Sequence, residues 1–190
     1  MSEQQIQQVN IGAQELYKFL RARTIESKTT SKQQLTMNPP EGIAREELSA
    51  LLAVLGTEES PAELENIAWV NGRKDVFYYE KTLMTVQYAE LDAMIQEKDL
   101  LHTIASVTRS DCKLYPMPTQ FSKLKDVPFR MSEDELLGAA ARMLFEPEYE
   151  DIKVCTASNG GKAFYSTKYL TPAYAQSLVE WAEVEQKQNP

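Results

Sequence analysis

The sequence predicts an α+β protein made of two tandem pseudo-symmetric helix–hairpin–helix repeats, residues 1–97 and 98–190, packed as one compact domain. Three observations predict it. Residues 77–89 recur, one residue shorter, at 164–175, pairing Phe77 with Phe164, Tyr78 with Tyr165, Lys81 with Lys168 and Leu83 with Leu170. The match continues through Thr85 with Thr171, Tyr88 with Tyr174 and Ala89 with Ala175. Asn71-Gly72 precedes the first copy and Asn159-Gly160 the second, while Glu47-Leu48 and Glu135-Leu136 open apolar helix patterns further upstream. Shared order and spacing over so long a stretch argue for a copied supersecondary unit.

Each element has a local reason. Residues 1–12 are polar and Gln-rich, so a frayed or loosely docked start is expected. Leu16, Phe19 and Leu20 show the i, i+3, i+4 spacing of one buried helix face, running to about Arg23. Residues 26–42 end in Asn38-Pro39-Pro40-Glu41-Gly42 and read as a connector whose prolines stop a helix. Ile43 to Leu55 is helical, with Leu48, Leu51, Leu52 and Leu55 as its stripe and Gly56 at the C-terminal cap. A short helical turn follows Ser60-Pro61, and then a hairpin pairs residues 67–70 with residues 76–79 through a loop longer than two residues. Thr85 caps a helix whose expected buried face is Tyr88, Leu91 and Ile95.

The second half repeats that order. Leu100, Leu101, Ile104, Ala105 and Val107 suit a helix. Cys112 to Phe121, broken by Pro116 and Pro118, is expected to be extended and at a sheet edge. Ser132 and Glu135 form a capping box for a helix through Leu136, Ala140 and Leu144. The second hairpin pairs residues 152–156 with residues 163–165, and Thr171-Pro172 starts the last helix. That helix is expected to bury Ala175, Leu178, Val179 and Ala182, with Trp181 adding area, before a tail from Gln186. A lone hairpin is not stable in water, so the two are expected to share an apolar face.

Composition narrows the function classes. The 190 residues are 43% hydrophobic and 25% charged, an ordinary globular balance, with net charge −8. No basic face stands out, which argues against nucleic acid as a partner. No apolar run reaches the 18 residues of a membrane span, and no positive segment leads into an apolar one. Cys112 and Cys155 have no framework or Cys-x-x-Cys spacing, which fits a reducing cytoplasm and excludes a redox pair or zinc site by motif.

Candidate chemistry is sparse, and no catalytic, cofactor-binding or metal-binding residue is assigned. His102 is the single histidine and lies inside a predicted helix without a second ligand at coordinating spacing. Asn159-Gly160-Gly161-Lys162 resembles a phosphate loop but leads into a strand, so a hairpin turn is expected. Glu146, Glu148, Glu150 and Asp151 are expected to form a solvated turn. Tyr78, Lys81, Tyr165 and Lys168 are the candidate ligand or partner contacts, because both copies carry them. Tyrosine in the core and lysine at an exposed strand end is the plainer structural expectation for them.

Three stretches carry a resemblance: Tyr78 to Thr85, then Glu97 to Leu101 with Tyr115-Pro116, then Tyr169 to Trp181. Together they resemble the YdhW-type bacterial proteins, which are encoded beside subunits similar to aldehyde ferredoxin oxidoreductases and ferredoxin-like electron carriers. The resemblance implies an accessory role near a redox enzyme and transfers no active-site residue. The expected function is therefore a non-catalytic accessory or binding protein, without cofactor, whose protein partner is a redox enzyme subunit. The alternatives are a small-molecule enzyme or ligand-binding protein with its site between the repeats, and an acidic winged-helix regulator.

Overall fold

The computed structural model describes residues 3–185, with side chains from residue 11 onward. Helices and small antiparallel sheets make an α+β protein, and the chain divides into two compact units, residues 1–98 and 99–190.

In the first unit, helix α1 spans Glu3–Ile25. The frayed start expected for residues 1–12 is therefore corrected from residue 3 onward, since glutamine is a good helix former; residues 1–2 lie outside the described residues. The connector expected over 26–42 also holds more structure. Strand β1 (Thr30–Ser31) leads into α2 (Lys32–Met37), whose N-cap Ser31 and Gln34 form a capping box. Asn38-Pro39-Pro40 then ends that helix. Helix α3 spans Arg45–Val54, and Gly56 beyond it takes a φ of +80°. A three-residue 3₁₀ turn, Ala62–Leu64, precedes strands β2 (Ile67–Asn71) and β3 (Val76–Glu80). Helix α4, Val86–Gln96, is capped by Thr85.

The sheet order is β1-β3-β2, all antiparallel. One face packs on α1, α2 and α3 through Leu16, Leu20, Leu35, Leu48, Ile67 and Tyr78. The other packs Val70, Phe77, Tyr79 and Met84 against Ala89 and Ala93 of α4. Small alanines meet the sheet there. Tyr88, Leu91 and Ile95, expected as the buried face, are only half-buried.

The second unit follows the same order: α5 (Leu100–Leu114), β4 (Thr119–Gln120), α6 (Phe121–Lys125) and α7 (Glu133–Met143). A 3₁₀ turn (Pro147–Tyr149) then leads to β5 (Ile152–Thr156), β6 (Lys162–Ser166) and α8 (Pro172–Glu180). Cys112 lies in α5, so the extended stretch starts later than expected, and β4 is indeed an edge strand in the order β4-β6-β5. The Ser132–Glu135 capping box is present, but α7 buries Leu136, Ala139 and Met143 and leaves Leu144 exposed. Phe121 stacks on Phe164 with centroids 4.8 Å apart in the α5–α7 core. Ala163, Tyr165, Ala175 and Val179 form the opposite layer, and Trp181, expected to add buried area, is 46% exposed at the start of a π-helical turn. The tail from Gln186 lies outside the described residues.

Register corrects the sequence echo. Strands β2 and β5 share one burial pattern, and β3 and β6 share another. Tyr78 pairs with Thr30 and Trp69, whereas the residue paired with Thr119 and Val154 is Phe164. Tyr78 therefore corresponds to Phe164, Tyr79 to Tyr165, and Glu80 to Ser166. The pairing of Phe77 with Phe164 was off by one residue, and a one-residue slip reverses every face. The Asn-Gly pairs are not equivalent either: Asn71 ends β2 and Gly72 opens its loop, whereas Gly160 lies inside the second loop at φ +88°.

Candidate functional site

The four residues proposed as contacts have different surroundings within their own units. Tyr78 is buried toward α1–α3, while Tyr165 is buried toward α8, so the two tyrosines occupy opposite sheet faces. Lys81 is exposed, and its Nζ donates to the Glu65 carbonyl at 2.8 Å. Lys168 reaches Asp151, with Nζ 3.4 Å from Oδ1.

Asp151 is the residue that sequence reasoning misplaced. It was expected in a solvated acidic turn, yet it is 3% exposed. Arg109 of α5 donates from its Nε at 3.1 Å and from a terminal nitrogen at 2.5 Å to the two carboxylate oxygens. Ser166 Oγ donates at 2.6 Å. Arg109 also donates to the Glu148 carbonyl at 2.7 Å, tying the 3₁₀ turn to α5. Burial alone would push the Asp151 carboxyl up. Hydrogen bonds from Arg109 and Ser166, with the charges of Arg109 and Lys168, outweigh it and hold the group well below the usual carboxylate range. Its oxygens are consumed by the protein itself, as in a structural clamp rather than a reacting group. No sequence signal marked it, because successive strand side chains face opposite ways and a buried Ile152 says nothing of the acid before it.

The first unit solves the same problem differently. Glu80, at the Ser166 position, is 1% exposed and accepts from Thr82 N at 3.0 Å and Thr82 Oγ1 at 2.7 Å. The Glu80 amide donates to Thr24 Oγ1 at 3.1 Å, and the Ser166 amide donates to Cys112 Sγ at 3.5 Å. Cys112 is thus a hydrogen-bond acceptor in the place of a threonine. Burial pushes the Cys155 thiol up to about 11 and raises Cys112 as well, and both are free and buried.

Hairpin loops are gripped by acids from the helix that follows. Glu97 accepts from the amides of Arg73, Lys74 and Asp75 at 2.9, 2.7 and 3.1 Å. Glu180 accepts from Ser158 N at 2.7 Å and from its hydroxyl. The sequence that resembles a phosphate loop is this second turn, with Gly161 N donating to Asn159 Oδ1 at 2.9 Å. His102 is half-buried, with Nδ1 3.9 Å from a Glu148 oxygen. Among the described residues, no group of three or more His, Cys, Asp or Glu side chains is placed to hold a metal ion.

An open feature lies beside β5. A groove of about 420 Å³ is lined by Met143, Leu144, Ile152, Val154 and Phe164, with Lys153 as the one charged lining residue. Leu144 is 66% and the adjacent Phe145 85% exposed. In the first unit Trp69 crosses the corresponding place, and a smaller opening of about 280 Å³ remains beside it, lined by Gly56, Leu64 and Ile67. Trp69 stands at the register position of Val154, and its ring carbon would lie 2.5 Å from a Cβ on Gly56. Gly56 stands as far beyond Leu48 as Leu144 does beyond Leu136.

Comparison with known proteins now bears on this arrangement. A family model described as the YdhW C-terminal domain matches residues 98–187. Over 178 residues the chain is 32% identical to the protein of Escherichia coli (strain K12) named "Uncharacterized protein YdhW", spanning 94% of this chain and 81% of that one. The chain belongs to the YdhW family. The YdhW C-terminal domain match begins one residue before the second unit does, at Asp99. The Asp151 clamp and the β5 groove therefore both lie within the part that the YdhW domain model describes. No solved structure matches the chain.

Proposed function

We propose that this YdhW-family chain is a non-catalytic accessory protein that binds a protein partner, a subunit of a redox enzyme complex. One observation carries the binding role. The buried Asp151 carboxylate of the second unit is spent on internal bonds, whereas the surface open beside an edge strand is largely apolar. The redox assignment rests on the resemblance to proteins encoded beside aldehyde ferredoxin oxidoreductase-like subunits. Two buried, unpaired thiols fit a reducing cytoplasm.

The same proposal includes its origin in two tandem helix–hairpin–helix repeats. Matching strand order, matching burial patterns and the Leu48/Leu136 helix positions support that reading, with Thr24 and Cys112 receiving equivalent amides.

The test is affinity isolation of the tagged full chain from its native host, with mass spectrometry of what comes with it. Stoichiometric recovery of an oxidoreductase subunit is expected. Isolation of the chain alone, combined with turnover of a small molecule, contradicts the proposal.

A further inference from the structure

The two units differ where Trp69 of one stands at the register position held by Val154 in the other. In the first unit an indole crosses from the edge strand to the end of α3 and rests on Gly56. In the second, Val154 is too short to make that crossing, Leu144 replaces the glycine, and a groove remains. An apolar opening of this kind keeps Leu144 and Val154 in water at a cost that a ligand side chain would remove.

Backbone geometry specifies more than an oily slot. The Thr167 amide donates to the Asp151 carbonyl at 2.8 Å, and the Ala157 amide to the Gly161 carbonyl at 2.7 Å. These bonds fix the alternation of the antiparallel ladder, so Ile152, Val154 and Thr156 direct their backbone groups away from β6. Gln176 Nε2 takes the Thr156 carbonyl at 2.7 Å. Val154, 38% exposed, borders the groove, while Ile152 beside it is 3% exposed, and among the described residues β5 has no strand beyond it. Such an edge accepts an added strand.

Charge selects among strands. Lys153 is half-buried at the groove, and among the described residues it has no ion-pair partner, although the whole chain is acidic. A carboxylate beside the entering aromatic ring would satisfy it.

We infer that the groove beside β5 receives an extended segment of a partner protein that carries an aromatic side chain next to an acidic one. The ring takes the place that Trp69 fills in the first unit, the segment's backbone pairs with β5, and its carboxylate meets Lys153. This rests on the binding role proposed above and names the chemistry of the partner.

The probe is the peptide acetyl-Val-Asp-Trp-Asp-Val-amide, titrated into the full isotopically labelled chain and followed by amide NMR shifts. Shifts confined to residues 143–145 and 152–154 are expected, with about tenfold weaker binding when lysines replace the two acids. The double variant L144G/V154W recreates the arrangement of the first unit, so it keeps its unfolding temperature and loses the peptide. Shifts scattered over the surface, no saturation at millimolar peptide, or full binding by L144G/V154W would overturn the inference. So would a concentration-dependent dimer in sedimentation that L144G/V154W abolishes, since the occupant would then be a second copy. Affinity isolation with both chains separates the two claims. If L144G/V154W recovers the same oxidoreductase subunit as the natural chain, this inference fails and the accessory role stands. If the natural chain recovers none, the accessory role itself fails.

Discussion

Asp151 shows how one residue can look solvated in sequence and be structural in space. Its clamp joins α5, the 3₁₀ turn and both strands of the second hairpin. Breaking a buried ion pair costs about 3–5 kcal/mol, and the part-exposed Arg109 puts D151N near the low end. Because the folded carboxyl titrates below its ordinary value, its stabilisation is complete above about pH 4 and fades as pH falls toward the folded value. Thermal unfolding across pH 2–7 should show that acid loss in the natural chain and a flatter profile in D151N. Cys112 makes a second case. C112T should stay within about 1 kcal/mol of the natural chain, because a hydroxyl can take the Ser166 amide as Thr24 takes that of Glu80. C112V leaves the amide unpaired and should lose about 1–3 kcal/mol in denaturant titration. Gly56 carries two constraints, its positive φ and the indole against it. G56A should cost about 3 kcal/mol, and adding W69V should return only the steric part.

At the scale of elements, capping chemistry was the most legible signal. Thr85, Ser132 and Thr171 all cap as their sequence context predicts. Ser31 with Gln34 carried the same signal but was hidden in a stretch dismissed for its prolines, which lie beyond the helix and stop it rather than prevent it. S31A should lower stability by about 1 kcal/mol and raise hydrogen exchange within α2 first. Strand existence was legible, but strand phase was not. Phe, Tyr and Tyr in succession fill both faces of β3, so side-chain identity alone could not choose between neighbouring registers. The α4 face was misjudged for a related reason, since its alanines meet the sheet and Tyr88 is half-buried, whereas α8 and the turn after it bury Ala175, Val179 and Ala182 as expected and leave Trp181 outside.

For the whole molecule, the α+β class was legible from hairpins set among helices, and the division near residue 98 coincides with the start of the YdhW domain match. The groove was not legible, because it arises from a substitution between positions that only register brings into correspondence. Trp69 and Val154 share no sequence signal; their partners Tyr78 and Phe164 reveal them. On the proposed reading, the chain keeps Asp151 occupied internally and meets its partner through the edge of β5. Hydrogen–deuterium exchange on the complex recovered from the native host tests that claim most directly. The account predicts slowed exchange at residues 152–154 and 143–145 in the complex relative to the free chain. Unchanged exchange there, with protection elsewhere, would contradict it.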